Sequence, residues 1–214
     1  MRVTFPRLPD HERAYALVER DDGTLYRLYG GQAGPRLPHD IMHFVVEREL
    51  HIRDGIWGGI ASGIIFDSMQ HVSGRRPPHA RERSKELLTT FRSRGLRAEV
   101  LANFVQCVAA LDHPSDVQIL TLAADQLSVL PDADAEVEPA EIAAAAQALQ
   151  VEAARWARLR VGEEISYEWP QAALMREVPG GSSPHGDRAS RNRARARKPR
   201  VVRPNKKRKG RGPA

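Results

Sequence analysis

Residues 37–51 read LPHDIMHFVVERELH, with a run of apolar side chains at the centre. Pro38 is typical of a first helical turn, and the helix dipole favours an acid such as Asp40 near that end. The dipeptide Asp54-Gly55 breaks or caps a helix shortly afterwards. The stretch therefore predicts a helix from about residue 38 to residue 51, on which a following helix packs closely.

Side chains that can bind a metal ion recur along this predicted helix. His39, His43 and Glu47 follow one another at four-residue intervals, so they lie on one helical face, with Asp40 beside them. Zinc accepts imidazole nitrogen and carboxylate oxygen, and a catalytic site leaves one position for a water of lowered pKa. The spacing predicts a site for zinc or another divalent metal, able to serve hydrolysis, with His39, His43, Glu47 and Asp40 as candidate ligands.

A second helix is predicted from about residue 56 to residue 72. Its small residues, among them Gly58, Gly59 and Gly63, allow close backbone approach to the first helix. Asp67 and His71 are again four residues apart. They are candidates for further metal ligands or a general base, provided that this helix packs back on the first.

The pattern His39-Asp40-x-x-His43 resembles the HExxH zinc motif with Asp in place of Glu. It also resembles the HDxxH start of the zinc motif in the coenzyme Q biosynthesis protein family. That family expects a glutamate twelve residues after the second histidine, where this chain has Gly55. The resemblance therefore covers one helical turn, and the chain is assigned to neither family.

A structural role for the same residues stays open from the sequence. His43 is also compatible with a core histidine, and Glu47 with an ion pair to Arg48 or His51. The chain lacks the sequence signatures of several other enzyme classes. It has no Walker-type loop, no dinucleotide glycine pattern after a strand and no Gly-x-Ser-x-Gly elbow.

The net charge of +6 is unevenly distributed along the 214 residues. From Pro179 onward there are 13 Lys and Arg against one acid, whereas residues 1–178 carry 20 bases and 26 acids. The C-terminal segment has too few apolar residues to bury a core. The sequence predicts a globular domain over residues 1–178 and a disordered basic tail over residues 179–214.

The predicted tail is suited to polyanions. Phosphate contacts from Lys and Arg release counterions and give affinity without reading sequence, and no aromatic residue is present there to stack on bases. The alternative function is thus a non-enzymatic binding module whose tail contacts nucleic acid or another polyanion. The candidate contact residues are Arg191, Arg193, Arg195, Arg197, Lys198, Arg200, Lys206, Lys207, Arg208 and Lys209.

Strand patterns occur near both ends of the predicted domain. Asp22-Gly23 joins two strand-like runs, 14–20 and 24–29, as a hairpin, and the alternation at residues 164–169 predicts a strand that returns to it. Helices are predicted at 80–92, 96–111, 114–131 and 138–160, the last being the longest, with an acidic loop at 132–138. The fold class is α+β, with a small antiparallel sheet on a mainly helical bundle.

Cellular location is predicted from four further features. No apolar run approaches the length of a membrane span, and the N-terminus lacks a signal-peptide layout. Cys107 is the lone cysteine, which excludes an internal disulfide, and its apolar surroundings predict a core position. Arg outnumbers Lys 28 to 5, which is typical of GC-rich bacterial genomes. A bacterial cytoplasmic protein is expected.

Overall fold

The computed structural model describes residues 1–131 and 135–170, except for the side chains of residues 90 and 92–94. The strands are β1 (Arg2–Pro6), β2 (Arg13–Glu19), β3 (Leu25–Gln32), β4 (Met69–Ser73) and β5 (Glu164–Glu168). The helices are α1 (His39–Glu49), α2 (Ile56–Ser62), α3 (Ala80–Ala109), α4 (Asp116–Gln126), a 3-10 turn at Leu127–Val129, and α5 (Pro139–Ala157). The predicted α+β class is confirmed.

The five strands form one antiparallel sheet in the order β4-β3-β2-β1-β5. Alternate residues of β1, β2, β3 and β5 are buried, as expected for a sheet with one covered face. Val3 of β1 lies opposite Val18 of β2 on one side and Tyr167 of β5 on the other. The predicted hairpin and the returning C-terminal strand are both confirmed.

Helix α1 lies at the centre of the fold, in contact with α2, α3, α5 and β3. Seven consecutive residues, 41–47, are buried, so the helix is enclosed on all sides rather than amphipathic. Phe44 projects towards the sheet into a group of aromatic rings that also includes Phe5, Trp57, Tyr167 and Trp169. Because residues 41–47 of α1 are enclosed, the polar residues His43 and Glu47 must find partners inside the protein.

The prediction of one helix over residues 56–72 was wrong. Helix α2 ends at Ser62, because Gly63 adopts a left-handed conformation (φ 119°) and caps it. The chain then forms strand β4, which pairs with β3 at the edge of the sheet. His71 is therefore a strand residue, and Asp67 lies exposed in the connection before the strand.

Three other sequence predictions also need correction. Residues 80–109 form a single helix of 30 residues, longer than α5 with 19, so the predicted break is absent. Gly95 remains helical inside it, since one glycine costs only about 1 kcal/mol relative to alanine. Cys107 is exposed on α3 and is not a core residue.

The tail predicted over 179–214, and residues 132–134 of the predicted acidic loop, lie outside the described residues.

Candidate metal centre

Two histidines of α1 and one glutamate of α3 come together where these helices pack. His39 and His43 lie on successive turns, and their ring centres are 4.5 Å apart. Glu99 reaches across from α3, with Oε2 3.2 Å from His43 Nε2 and Oε1 3.9 Å from His39 Nε2. One ligand atom from each of the three residues lies within 4.8 Å of the others.

His43 is the buried member of this group, with 5% of its surface exposed. Its Nδ1 lies 3.6 Å from Glu47 Oε1 and its Nε2 faces Glu99, but neither contact has hydrogen-bond geometry. A buried polar atom without a hydrogen bond typically costs about 1–3 kcal/mol. The two ring nitrogens of His43 are therefore poorly satisfied by the protein groups around them.

The charge state of His43 is controlled by three carboxylates. Burial disfavours the charged imidazole and acts to lower its pKa, but Glu47, Glu99 and Asp40 outweigh burial, so the pKa of His43 is raised above 6.5. In the metal-free group, the surrounding carboxylates therefore stabilise a proton on His43. A divalent cation in the same place has to displace that proton.

Glu47 is fully buried and has a separate structural role. Its Oε1 accepts the backbone N–H of Ile56 at 2.9 Å, and its Oε2 accepts that of Trp57 at 2.9 Å and of Gly58 at 3.5 Å. These are N–H groups of the first turn of α2, which carry the positive end of the helix dipole. Burial raises the pKa of Glu47, and His43 together with the N–H groups of Trp57 and Gly58 opposes that shift.

The loop that brings α2 to Glu47 depends on glycine. A Cβ on Gly55 would collide with the carboxylate of Glu47, and a Cβ on Gly58 would collide with the backbone carbonyl of Arg53. Backbone atoms cannot rotate away as a flexible side chain can. The Asp54-Gly55 turn and Gly58 therefore allow the close approach through which one carboxylate caps the next helix.

We expect Gly58→Ala to lower the free energy of unfolding by about 2 kcal/mol, because the added methyl group displaces the Arg53 carbonyl. Urea unfolding followed by circular dichroism measures the change. Gly31→Ala is the matched control, since a Cβ there meets no atom within 4 Å. Equal stability of the two variants would show that the loop tolerates a side chain at residue 58.

Asp40 lies beside the histidines but outside the three-residue group. It is half-buried, and its carboxylate occupies the space that a Cβ on Gly30 would need. Burial raises the pKa of Asp40, while the charges of His39 and His43 act to lower it. Asp40 therefore contributes negative charge near the histidines.

Asp67 and His71 do not reach this group. His71 Nε2 lies 2.9 Å from the carbonyl of Gly74, and its ring packs edge-on against Tyr26, 5.6 Å between ring centres. The two residues were expected to act from a helix packed back on α1, whereas the chain there forms a connection and an edge strand. The structure thus brings together His39 and His43 from the predicted set, and adds Glu99.

Glu99 was not predicted from the sequence, although one signal pointed to it. It is the only charged residue between Arg97 and Asp112, within a largely apolar stretch of α3. An isolated acid on an otherwise apolar helix often has a particular partner. Which helix it faces depends on the packing of α3 against α1, which helical periodicity does not specify.

The separations between the group's atoms suit one small cation. Zinc bound to nitrogen or oxygen at about 2.0–2.1 Å in a tetrahedron places its ligand atoms about 3.3 Å apart. Glu99 Oε2 lies 3.2 Å from His43 Nε2, which matches this spacing, whereas the other oxygen, Oε1, lies 3.9 Å from His39 Nε2. Binding one cation therefore requires rotation of the Glu99 and His39 side chains. His39 and Glu99 are exposed, so their side chains are free to make that adjustment.

A cavity of about 310 Å³ adjoins the group on the side of His39. It lies between α1, α3 and α5. Leu37, just before α1, and Ala110, just after α3, also line it. Its lining residues are Leu37, His39, Met42, Gln106, Ala109, Ala110, Leu149, Gln150 and Ala153. Apart from His39 and two glutamines, the wall is apolar.

Within residues 1–131 and 135–170, no other set of three or more His, Cys, Asp or Glu side chains converges in this way. No helix in that part of the chain combines the length and the apolar character needed to cross a bilayer. The candidate nucleic-acid contacts of the tail, residues 191–209, lie outside it. No protein-family model, curated protein or solved structure matches the chain.

Proposed function

We propose that the protein binds a divalent metal ion, zinc foremost, through His39, His43 and Glu99. The observation that carries the proposal is His43, a buried imidazole whose ring nitrogens lack hydrogen bonds beside two further groups that are good zinc ligands. Two imidazoles and one carboxylate are a donor set used by catalytic zinc sites.

Glu47 takes a supporting position in this proposal. Histidines that bind metal commonly direct their second ring nitrogen at a carboxylate, which fixes the ring and increases its basicity. With Nε2 of His43 facing Glu99, Nδ1 faces Glu47 Oε1 at 3.6 Å. Glu47 itself is held by the amides of α2, so it is a rigid partner for the imidazole.

The proposed reaction class is hydrolysis. Three protein ligands leave the fourth coordination position for water. A bound zinc would lower the pKa of that water and so supply a nucleophile. Because His39 and Glu99 are exposed, that position is open to solvent and to the adjoining cavity. Asp40, a half-buried carboxyl group whose pKa is raised by burial, interacts electrostatically with both histidines.

The first test is zinc affinity as a function of pH. Metal binding requires neutral His43, whose pKa is raised above 6.5, so protons compete with zinc below that raised value. We expect tight binding at pH 8 by titration calorimetry, and affinity that falls about tenfold per pH unit for each displaced proton. Absence of zinc binding at pH 8, or affinity independent of pH, would contradict the proposal.

A second function is proposed for the tail, on composition alone. The charge of residues 179–214, with 13 bases and one acid, favours nucleic acid or another polyanion. We expect affinity for arbitrary RNA to fall about 100-fold between 50 and 200 mM salt in fluorescence anisotropy. Replacing the basic residues 206–209 with glutamine in the full chain should weaken binding. Sequence-selective binding unaffected by this replacement would contradict it.

A further inference from the structure

The cavity beside His39 is suited to an uncharged, apolar group. Leu37, Met42 and Leu149 form part of its wall, and small side chains at Ala109, Ala110 and Ala153 leave it open. No charged residue is among the nine that line it, apart from the titratable His39. A charged substituent would lose its hydration in the cavity without gaining an oppositely charged partner. A hydrocarbon chain would instead gain free energy by moving its apolar surface out of water.

The polar groups in the wall do not call for a strongly polar ligand. Gln150 Nε2 already donates to the carbonyl of Ala109 at 2.8 Å, so this amide is engaged within the wall. Gln106 is exposed at the edge. Polar recognition is therefore concentrated at the end of the cavity where His39 lies.

His39 belongs to both the cavity wall and the proposed metal group. Glu99 and Gln106 are seven residues apart on α3, so they lie on nearly the same face, about 10 Å apart along the axis. The metal group and the cavity are thus consecutive along the same groove between helices. A ligand lying in the cavity directs one end at the metal position.

We propose that this site takes a medium-length acyl compound, with its hydrocarbon chain in the cavity and its carbonyl or carboxylate oxygen on the metal. The inference rests on the proposed metal function and adds the class of ligand to it. A volume of 310 Å³ equals that of about ten water molecules at roughly 30 Å³ each, which is room for a chain of about eight carbon atoms.

Alkyl hydroxamates test the inference on the zinc-loaded full chain. Octanohydroxamic acid has six more methylenes than acetohydroxamic acid, and each buried methylene adds about fourfold to affinity. Even half-buried, six methylenes give a preference of about 50-fold or more in titration calorimetry. Ala153→Leu, which fills the cavity from α5, should remove most of this preference, whereas the exposed neighbour Ala154→Leu should keep it.

The outcomes separate this inference from the metal proposal. Zinc binding with equal affinity for the two hydroxamates would overturn the acyl site and leave the metal site standing. Octanohydroxamate binding that is as tight without zinc would overturn the placement of the polar end on the metal. Absence of zinc binding would overturn both proposals. The chain-length comparison on the unmodified protein is decisive even if Ala153→Leu does not fold.

Discussion

His43→Gln should lower zinc affinity by about 100-fold or more. It removes the one buried ligand, and even groups outside the ligand set typically cost 10–100-fold when altered. Glutamine keeps a polar amide between Glu47 and Glu99, so the two carboxylates retain a neighbouring donor. Competition titration with a chromophoric chelator at pH 8 measures the loss.

The matched control for this variant is His51→Asn. His51 is exposed and has a left-handed backbone (φ 55°), which asparagine tolerates better than most residues. We expect zinc affinity unchanged within about twofold. Equal losses in the two variants would indicate that zinc binds to scattered surface histidines rather than to the proposed group.

Glu47→Ala should destabilise the fold by about 3 kcal/mol, which corresponds to a fall in Tm of about 6–12 °C. The substitution leaves the N–H groups of Ile56 and Trp57 without their carboxylate acceptor, and it opens a cavity beside α1. Differential scanning calorimetry of the metal-free protein measures the change independently of any metal.

Glu99→Ala is the comparison for this stability effect. Glu99 is half exposed and faces solvent on one side, so its removal should cost less than about 1 kcal/mol. Glu47→Gln retains one acceptor oxygen and should fall between the two variants. If Glu47→Ala melted at the wild-type temperature, the carboxylate cap of α2 would be unimportant for stability.

The sheet was predictable from sequence because its signals are local. Asp22-Gly23 favours a tight turn, and Gly23 does adopt the required positive φ of 76°. The alternation at residues 164–169 also identified β5 as a strand with one covered face. This strand was expected to return to the N-terminal hairpin, and it joins the same sheet by pairing with β1.

The middle of the chain was less predictable, since local signals conflict there. Apolar residues 64–66 and 69 continue the helical pattern of α2, but Gly63 ends the helix and the edge of β3 offers hydrogen bonds to residues 69–73. In α3, the break predicted between residues 92 and 96 does not occur, because the single Gly95 costs too little to end a helix of this length. The strand at residues 69–73 thus depends on a distant part of the chain, the edge of β3.

Only part of the candidate site was predictable from the sequence, because the packing of helices determines the rest. The four-residue spacing of His39 and His43 places them together on any helix. Spacing alone does not reveal that the central residues of α1 are buried. Because Glu47 is buried, its carboxylate accepts hydrogen bonds from the backbone N–H groups at the start of α2. Nor does it reveal that α3 presents Glu99 to the histidines. The third member of the group is therefore set by helix packing.

The most direct test of the metal site compares the zinc affinity of Glu99→Gln with that of Glu86→Gln. Both residues are exposed glutamates on α3, and only Glu99 lies against the histidines. We expect at least tenfold weaker zinc binding for Glu99→Gln, with unchanged folding, and wild-type affinity for Glu86→Gln. Wild-type affinity in Glu99→Gln would contradict the proposed site.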